Sequence, residues 1–413
     1  SANSISVDSY FGLQQANRKL NMLNATQWMN MINEEAIQRG EPQVYSDDFI
    51  QNNKVDTRWL DEVFRVAPTY SLQLSFRGGD SNSSYYVSGN YYNQDGIVLG
   101  SDFSRYGFRV NYDYSINPKL KLQVGNGFSF STNNRVEGDQ SLNGPLPNAI
   151  SMPPIYPVYN PDGTFNNDGP YANPISIAKE EKNLAKSHRN ISNLTLTYKP
   201  SSNFQINAQG GIDYYNLNEQ TFAPKQTRQG AKYDGLGIEA TSNVITFYYS
   251  SYANFTNKWK TGNLEVLGGL STERYMEHGS YLRSQSFPGN SIEFLQGGAI
   301  PVQASSREVD ALNLSVFSRL KFLYLNRYMF TFNFRRDGSS KFGESNRFGN
   351  FPAIAFLWNA YDEPFYPKHT LFPRVKLTLS YGLTGNDQIS DFRALDLFAP
   401  GSNYGGSAGL RPA

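Results

Sequence analysis

The feature that most constrains this chain is a two-residue alternation of apolar and polar side chains, which returns along most of its length. In residues 105–114 every second residue is aromatic or aliphatic, and the residues between them are Arg, Gly, Asn and Asp. Successive side chains of a strand point to opposite faces, so each such segment has one apolar and one polar face. The pattern predicts an all-β chain of about thirteen strands, each about nine to thirteen residues long.

The connections between these segments alternate in length. Short, turn-rich connections lie at 78–82, 116–119, 200–202, 259–263 and 324–327. Long polar connections lie at 15–68, 133–186, 220–243, 278–310 and 338–350, and 95–102 is a short exception. Tight periplasmic turns and long extracellular loops alternate in this way in membrane barrels. The alternation of short and long connections therefore predicts an antiparallel transmembrane β-barrel with long extracellular loops.

The composition agrees with strands rather than helices as the membrane-facing elements. The chain is 15% aromatic, with 28 Tyr and 28 Phe, yet its mean hydropathy is −0.53 and no apolar run approaches the length of a membrane helix. Its 37 basic and 36 acidic residues leave a net charge of +1, which disfavours nucleic acid as a partner. A soluble β-sandwich also alternates, but its connections are not systematically long and its strands carry fewer charges in mid-strand.

The first long connection, 15–68, contains the one segment with clear helix signals. Asn24 has the properties of an N-cap, Gln27 completes a capping box, and Gly40 ends the run. The second, 133–186, is rich in Pro and Tyr.

Four stretches resemble the SusC/RagA family of TonB-dependent outer-membrane transporters. Residues 83–104 read SSYYVSGNYYNQDGIVLGSDFS, and residues 59–65 read WLDEVFR. Residues 335–343 read RRDGSSKFG and are followed by NRFG and FPA, and residues 379–386 read LSYGLTGN. The stretches occur in family order and span most of the chain.

The resemblance implies a barrel of about 22 strands that is occluded by a plug. It also implies a SusD-like lipoprotein on the outside, energy from TonB, contact with outer-membrane lipid, and oligosaccharides or peptides as cargo. By this resemblance the chain begins at the family's first barrel strand. The resemblance therefore predicts that 1–413 is a partial barrel without the plug, the TonB box and the C-terminal strands.

The sequence predicts no enzyme active site, no cofactor and no metal centre. His188, His278 and His369 lack metal-hydrolase spacing, and there is no cysteine. Residues 162–169 offer oxygen ligands at alternate positions, as calcium loops do, but Asn173 stands where a closing acid is needed, so an ordinary turn is favoured. Residues 235–240 fit a dinucleotide pattern only by chance, since they lie in a loop.

Two small sets of residues are candidates for function. Tyr156, Tyr159 and Tyr171 in the second long loop are the first candidates for contact with a glycan or a lid protein, although a structural role is favoured. Arg105, Arg109 and Arg319 are predicted to face the lumen. They either line a cargo path there or contact the plug, and contact with the plug is the favoured interpretation.

Two other functions stay open on the sequence alone. One is a soluble glycan-binding or glycan-cleaving β-protein, which needs a carboxylate pair in a cleft for cleavage. The other is a siderophore or cobalamin receptor with the same barrel.

Overall fold

Thirteen strands form one antiparallel sheet in chain order in the computed structural model, which describes residues 3–137, 141, 143–367, 372, 374–389, 398–404 and 407–412. The strands are β1 (Ser4–Gln14), β2 (Ala67–Gly79), β3 (Ser83–Asp95), β4 (Asp102–Asn117), β5 (Leu120–Asn134), β6 (Lys182–Ser201), β7 (Phe204–Ala223), β8 (Leu236–Trp259), β9 (Gly262–Gln285), β10 (Ile300–Tyr324), β11 (Tyr328–Ser339), β12 (Phe348–Asn359) and β13 (Lys376–Gly382). The number of strands and their up-and-down order confirm the prediction from alternation.

Short helices occupy the long connections. They are α1 (Ala25–Gln38), α2 (Asp47–Asn52), α3 (Trp59–Val63), α4 (Pro145–Ser151), α5 (Pro174–Glu180) and α6 (Arg228–Ala231), with 3-10 turns at Leu295–Gly297, Glu344–Asn346 and Ala360–Asp362. A separate hairpin pairs β14 (Phe398–Tyr404) with β15 (Ser407–Pro412). None of the helices in the described part of the chain is both long and apolar enough to span a membrane.

The cross-strand register gathers the apolar side chains on one face of the sheet. Tyr106 on β4 lies opposite Tyr91 on β3 and Phe130 on β5, so the apolar residues of neighbouring strands share that face. These side chains are not covered by a second layer: Leu194 is 50% and Ile354 56% exposed. A continuous apolar surface of this size is not stable in water, and it fits contact with lipid. The opposite, polar face is the lumenal face.

Aromatic side chains border the apolar face at both ends of the strands. Toward the long loops the ring of Tyr91 lies 5.6 Å from that of Tyr70 and 4.6 Å from that of Tyr106. Toward the short turns the ring of Phe322 lies 6.0 Å from that of Trp259 and 6.3 Å from that of Tyr324. Such rings mark the two membrane interfaces of a barrel.

A buried carboxylate holds two aromatic side chains at the short-turn end of the sheet. Glu363 is only 7% exposed, and its carboxylate accepts hydrogen bonds from the Trp358 Nε1 at 3.0 Å and from the Tyr328 hydroxyl. The Arg327 guanidinium lies 3.2 Å from the same carboxylate. The 3-10 turn after β12 therefore fixes two interfacial aromatic side chains in one orientation.

The short turns lie where the sequence predicts them. Between β10 and β11, Leu325 and Asn326 both have positive φ, at 52° and 55°. Positive φ at both central residues is the signature of a type I′ turn, which matches the twist of a two-stranded hairpin. Asn tolerates this region through its short polar side chain, whereas Leu is held there by the hairpin.

The predicted strand length is wrong for the middle of the sheet. Strands β6 to β10 have 20 to 25 residues each, so much of the predicted connections 220–243 and 278–310 is strand. His188, Asn216, Asn243 and His278 lie opposite one another in a polar row on the outer face of these strands. Above the lipid both faces of a strand meet water, so the apolar alternation disappears while the backbone pairing continues.

Candidate functional site

The three arginines that the sequence predicts for the lumen, Arg105, Arg109 and Arg319, lie on the polar face of the sheet, in two different settings. Arg319 on β10 contacts the Glu265 carboxylate at 2.8 Å. Arg105 and Arg109 on β4 are exposed and have no carboxylate within 4 Å among the described residues. The three do not form one cluster, because β4 and β10 are six strands apart in the sheet.

Several other cations of the lumenal face are paired. Lys121 lies 2.9 Å from Asp113, and Arg335 lies 2.5 Å from Asp337. The Arg189 guanidinium donates two hydrogen bonds to the Asp213 carboxylate, at 3.0 and 2.6 Å. These pairs lie within or between neighbouring strands and stabilise side-chain positions on the wall.

The long loops pack together into a small hydrophobic core at the extracellular end, called the loop core below. Its buried members come from α3, α4, α5 and the residue after α4, and they are Trp59, Leu60, Val63, Ala149, Met152 and Ile175. The two predicted loops 15–68 and 133–186 thus fold against each other. Val98 and Leu99, from the short connection between β3 and β4, pack on the same core.

Hydrogen bonds join the two loops across this core. The Trp59 Nε1 donates to the Pro153 carbonyl at 3.0 Å, and the Thr57 hydroxyl donates to the Tyr156 carbonyl at 2.6 Å. The Thr57 backbone N–H donates to the Pro154 carbonyl at 2.8 Å. Because backbone groups of both loops are satisfied in this way, the loop core has a defined arrangement.

Helices α1 and α5 begin where their sequences provide side-chain caps. Asn24 and Gln27 form the predicted capping box at the start of α1. Asn173 caps α5 by accepting from the Ile175 backbone N–H at 3.0 Å, and Pro174 occupies the first turn. The prediction of a single helix in 15–68 is wrong, since α2 and α3 follow α1.

The three candidate tyrosines have different surroundings. Tyr156 is half-buried against the loop core. Tyr159 is 44% exposed, its ring lies 5.1 Å from that of Phe165, and its hydroxyl accepts a hydrogen bond from the Lys179 Nζ at 3.1 Å. Tyr171 is exposed. Packing therefore occupies part of Tyr156 and Tyr159, and contact with a ligand stays a prediction for all three.

The segment 162–169 forms an ordinary turn. The Asp162 carboxylate accepts from the Thr164 backbone N–H at 2.9 Å and from its hydroxyl at 2.6 Å. Asn173, at the position of the missing acid, is 1% exposed and serves α5. Across the described ranges no three acidic or histidine side chains converge as metal ligands, and His369 lies outside those ranges.

A buried carboxyl group beside the loop core is not indicated by any pattern in the sequence. Glu181 ends α5, and one of its carboxylate oxygens is buried without a hydrogen-bond partner among the described residues. Burial raises the pKa of Glu181 to about 7, with smaller contributions from the Glu137 and Glu180 carboxylates, and the Thr227 hydroxyl opposes the shift. Two adjacent glutamates look like a solvated pair in sequence, so only the fold shows this burial.

The raised pKa predicts that the loops lose stability as the pH rises. Between about pH 4.5 and 7 the folded state binds the Glu181 proton more tightly than the unfolded state, so the stability present at pH 5 is lost by pH 8. We expect a difference of about 2 kcal/mol for opening of the loops, allowing for partial exposure. Limited proteolysis of the full-length protein in detergent at pH 5 and pH 8 measures it.

The matched variants are Glu181→Gln and Glu180→Gln. The first is expected to make the cleavage rate of the loops independent of pH and to slow cleavage at pH 8. The second leaves the pH dependence in place, because Glu180 already accepts a hydrogen bond from the Ser176 hydroxyl at 2.5 Å. An unchanged pH dependence in Glu181→Gln assigns the effect to another group.

Comparison with known proteins identifies relatives of one kind. TonB-dependent receptor P3 of Formosa agariphila is 30% identical over 408 residues, which are 96% of this chain and 39% of that protein. TonB-dependent receptor SusC of Bacteroides thetaiotaomicron is 26% identical over 382 residues, which are 84% of this chain and 37% of that protein. No family model matches.

A solved structure has the same fold. The structure of the RagAB peptide transporter matches 99% of this chain and 50% of that chain, with a TM-score of 0.82 and 20% identity. The chain thus spans about two fifths of the curated relatives and half of the solved protein. These proteins are receptors and transporters, not enzymes. The chain belongs to the SusC/RagA family of TonB-dependent receptors of the bacterial outer membrane, and its described residues form thirteen adjacent strands of a β-barrel wall.

Proposed function

We propose that the protein containing this chain imports large nutrients across the outer membrane with energy from TonB. The observation that carries the proposal is the two-faced sheet, whose apolar face fits lipid and whose lumenal face carries charged and amide side chains. A polar lumen of this kind passes or holds hydrophilic cargo. The names of the relatives support the same transport class.

A single layer of strands does not support the soluble alternative. A β-sandwich buries its aromatic side chains between two sheets, whereas Phe108 and Phe330 are each 49% exposed here. The described residues therefore favour a barrel wall over a soluble glycan-binding or glycan-cleaving domain.

Oligosaccharides are the cargo that we propose, with peptides as the second candidate. Tyr92 and Phe103 place two rings 6.1 Å apart on the lumenal face, beside the amide of Gln94, and sugars bind to such combinations of ring and amide. The peptide alternative rests on the RagAB peptide transporter, which has the same fold.

The loop core supports a further partner, a SusD-like surface lipoprotein. A lid protein needs a rigid platform, and the loops 15–68 and 133–186 form one by packing Trp59, Met152 and Ile175 together. The exposed side chains of Tyr159 and Tyr171 lie in the second of these loops.

Uptake by cells tests the proposal. A strain lacking the full-length gene is compared with the same strain carrying it, using size-matched labelled oligosaccharides, peptides and ferric siderophores. We expect the gene to restore uptake of oligosaccharides and an intact TonB system to be required. Restored uptake of peptides alone establishes the second candidate, restored uptake of siderophores replaces both, and full uptake without TonB contradicts the proposal.

A further inference from the structure

Arg105 and Arg109 are set apart from the paired lumenal cations by their neighbours. The cross-strand partners of Arg105 are Tyr92 on β3 and Ser131 on β5, and those of Arg109 are Ser88 and Gly127. All four partners are uncharged. Two guanidinium groups thus lie on one strand face without a counter-charge from the strands beside them.

Two acidic side chains of this part of the lumenal face are already engaged. Asp113, four positions beyond Arg109 on β4, is paired with Lys121 at 2.9 Å. Asp213 on β7 accepts two hydrogen bonds from Arg189. Neither carboxylate is left to neutralise Arg105 or Arg109, so the positive charge of the pair is open to the lumen.

The two arginines line a shallow concavity of about 400 Å³ in the lumenal face. Its other polar lining residues include Gln73, Ser88, Asn90, Asn111, Ser129 and Arg189. Amide and hydroxyl groups of this kind donate to and accept from hydroxyl-rich ligands. The only charged side chains in the lining are arginines, which fits a ligand that is polar and anionic.

Arg105 lies at the extracellular side of the concavity. Arg105 is three residues from the extracellular start of β4, and the connection that precedes β4 packs on the loop core through Val98 and Leu99. Tyr92, opposite Arg105, adds an aromatic ring 6.1 Å from that of Phe103. Arg105 and Tyr92 therefore lie on the part of β3 and β4 nearest the long loops.

We infer that Arg105 and Arg109 form a subsite for acidic groups of an oligosaccharide, namely carboxylates or sulfate esters. The inference rests on the proposed function, since it names the class of cargo. Guanidinium groups bind either kind of oxyanion through paired N–H donors. Their Cα atoms are about 13 Å apart along the strand, so each engages a separate acidic group of one extended chain.

Binding to the purified full-length transporter, in complex with its surface lipoprotein, tests the subsite. The probes are tetragalacturonate, a sulfated carrageenan tetrasaccharide and a carboxyl-reduced neutral tetrasaccharide, each titrated at low and high salt. We expect at least one acidic probe to bind about tenfold or more tightly than the neutral one, and salt to weaken that preference.

The variants are Arg105→Gln, Arg109→Gln and the double variant, with Lys321→Gln as a matched control on the lumenal face of β10. Each single change is expected to weaken binding of the acidic probe about tenfold and to leave the neutral probe unchanged. Lys321→Gln is expected to change neither. Since Arg105 and Arg109 make no ion pair within the described residues, the variants should fold normally, and unchanged thermal melting checks this.

Three outcomes overturn the subsite. The first is equal binding of acidic and neutral probes, and the second is no binding of any saccharide. The third is a double variant with unchanged acid preference but faster proteolysis of the plug, which assigns the arginines to plug contact. If one of these outcomes occurs while the parent transporter still imports neutral sugars or peptides, the subsite fails and the proposed function stands. Absence of TonB-dependent uptake of every probe by the parent protein contradicts the function itself.

Discussion

Trp59→Ala is expected to open the loop core while leaving the strands folded. Trp59 is 4% exposed, and its Nε1 donates to the Pro153 carbonyl across the two long loops. Removal of a buried indole leaves a cavity and an unpaired carbonyl, which costs about 3–5 kcal/mol. The open fraction of the loops then rises by roughly a hundredfold to a thousandfold or more. Proteolysis within 15–68 and 133–186 measures this rise.

The control for this variant is Ile37→Ala in α1 of the same loop. Ile37 is 55% exposed, so its loss removes little packing, and cleavage is expected to stay within about twofold of the parent. The sheet is followed separately by the heat-induced mobility shift of the folded barrel in detergent gels. Equal cleavage in Trp59→Ala and Ile37→Ala contradicts the packing of the two loops on one core.

Val124→Arg is expected to destabilise the protein in the membrane by about 2–4 kcal/mol. Val124 lies in the middle of the apolar face on β5, opposite Tyr112 on β4 and Leu194 on β6. A guanidinium at this depth meets hydrocarbon and has no partner there. Reversible unfolding of the full-length protein in lipid vesicles, followed by tryptophan fluorescence in urea or guanidinium, gives the difference.

The adjacent residue provides the control. Gln123 points to the lumenal face, where its side chain donates to the Asp113 carboxylate at 3.2 Å. Gln123→Arg keeps a donor beside that carboxylate, and its effect is expected to stay below about 1 kcal/mol. If the two arginines cost the same, the faces of β5 are not divided between lipid and lumen.

The strands inside the lipid could be predicted from the sequence, because one face of each strand meets lipid and the other meets water. Apolar and polar residues therefore alternate along them. Phe128 and Phe130 alternate with Gly127 and Ser129 on β5, and the structure places the two sets on opposite faces. The short turns followed from their Gly, Pro, Asn and Asp residues, and α1 from its capping box. Local chemistry decides each of these features.

The upper parts of β6 to β10 could not be predicted, because residues such as Asn216 and Thr241 meet water on both sides and leave no periodic signal. The loop core was missed for another reason. Trp59 and Met152 are far apart in the chain, and nothing local to either residue shows that they pack together. The same holds for the unpaired state of Arg105 and Arg109, which depends on strands β3 and β5.

One face of this sheet contacts lipid and the other lines an aqueous lumen, and spin labels along β5 distinguish the two faces. Single cysteines replace residues 120–130 of the full-length protein in vesicles, and each label is probed with oxygen and with a water-soluble nickel chelate. We expect labels at Leu122, Val124 and Phe128 to collide mainly with oxygen, and labels at Gln123 and Ser129 to collide mainly with the chelate. Equal access of the chelate to both sets contradicts a membrane-spanning wall.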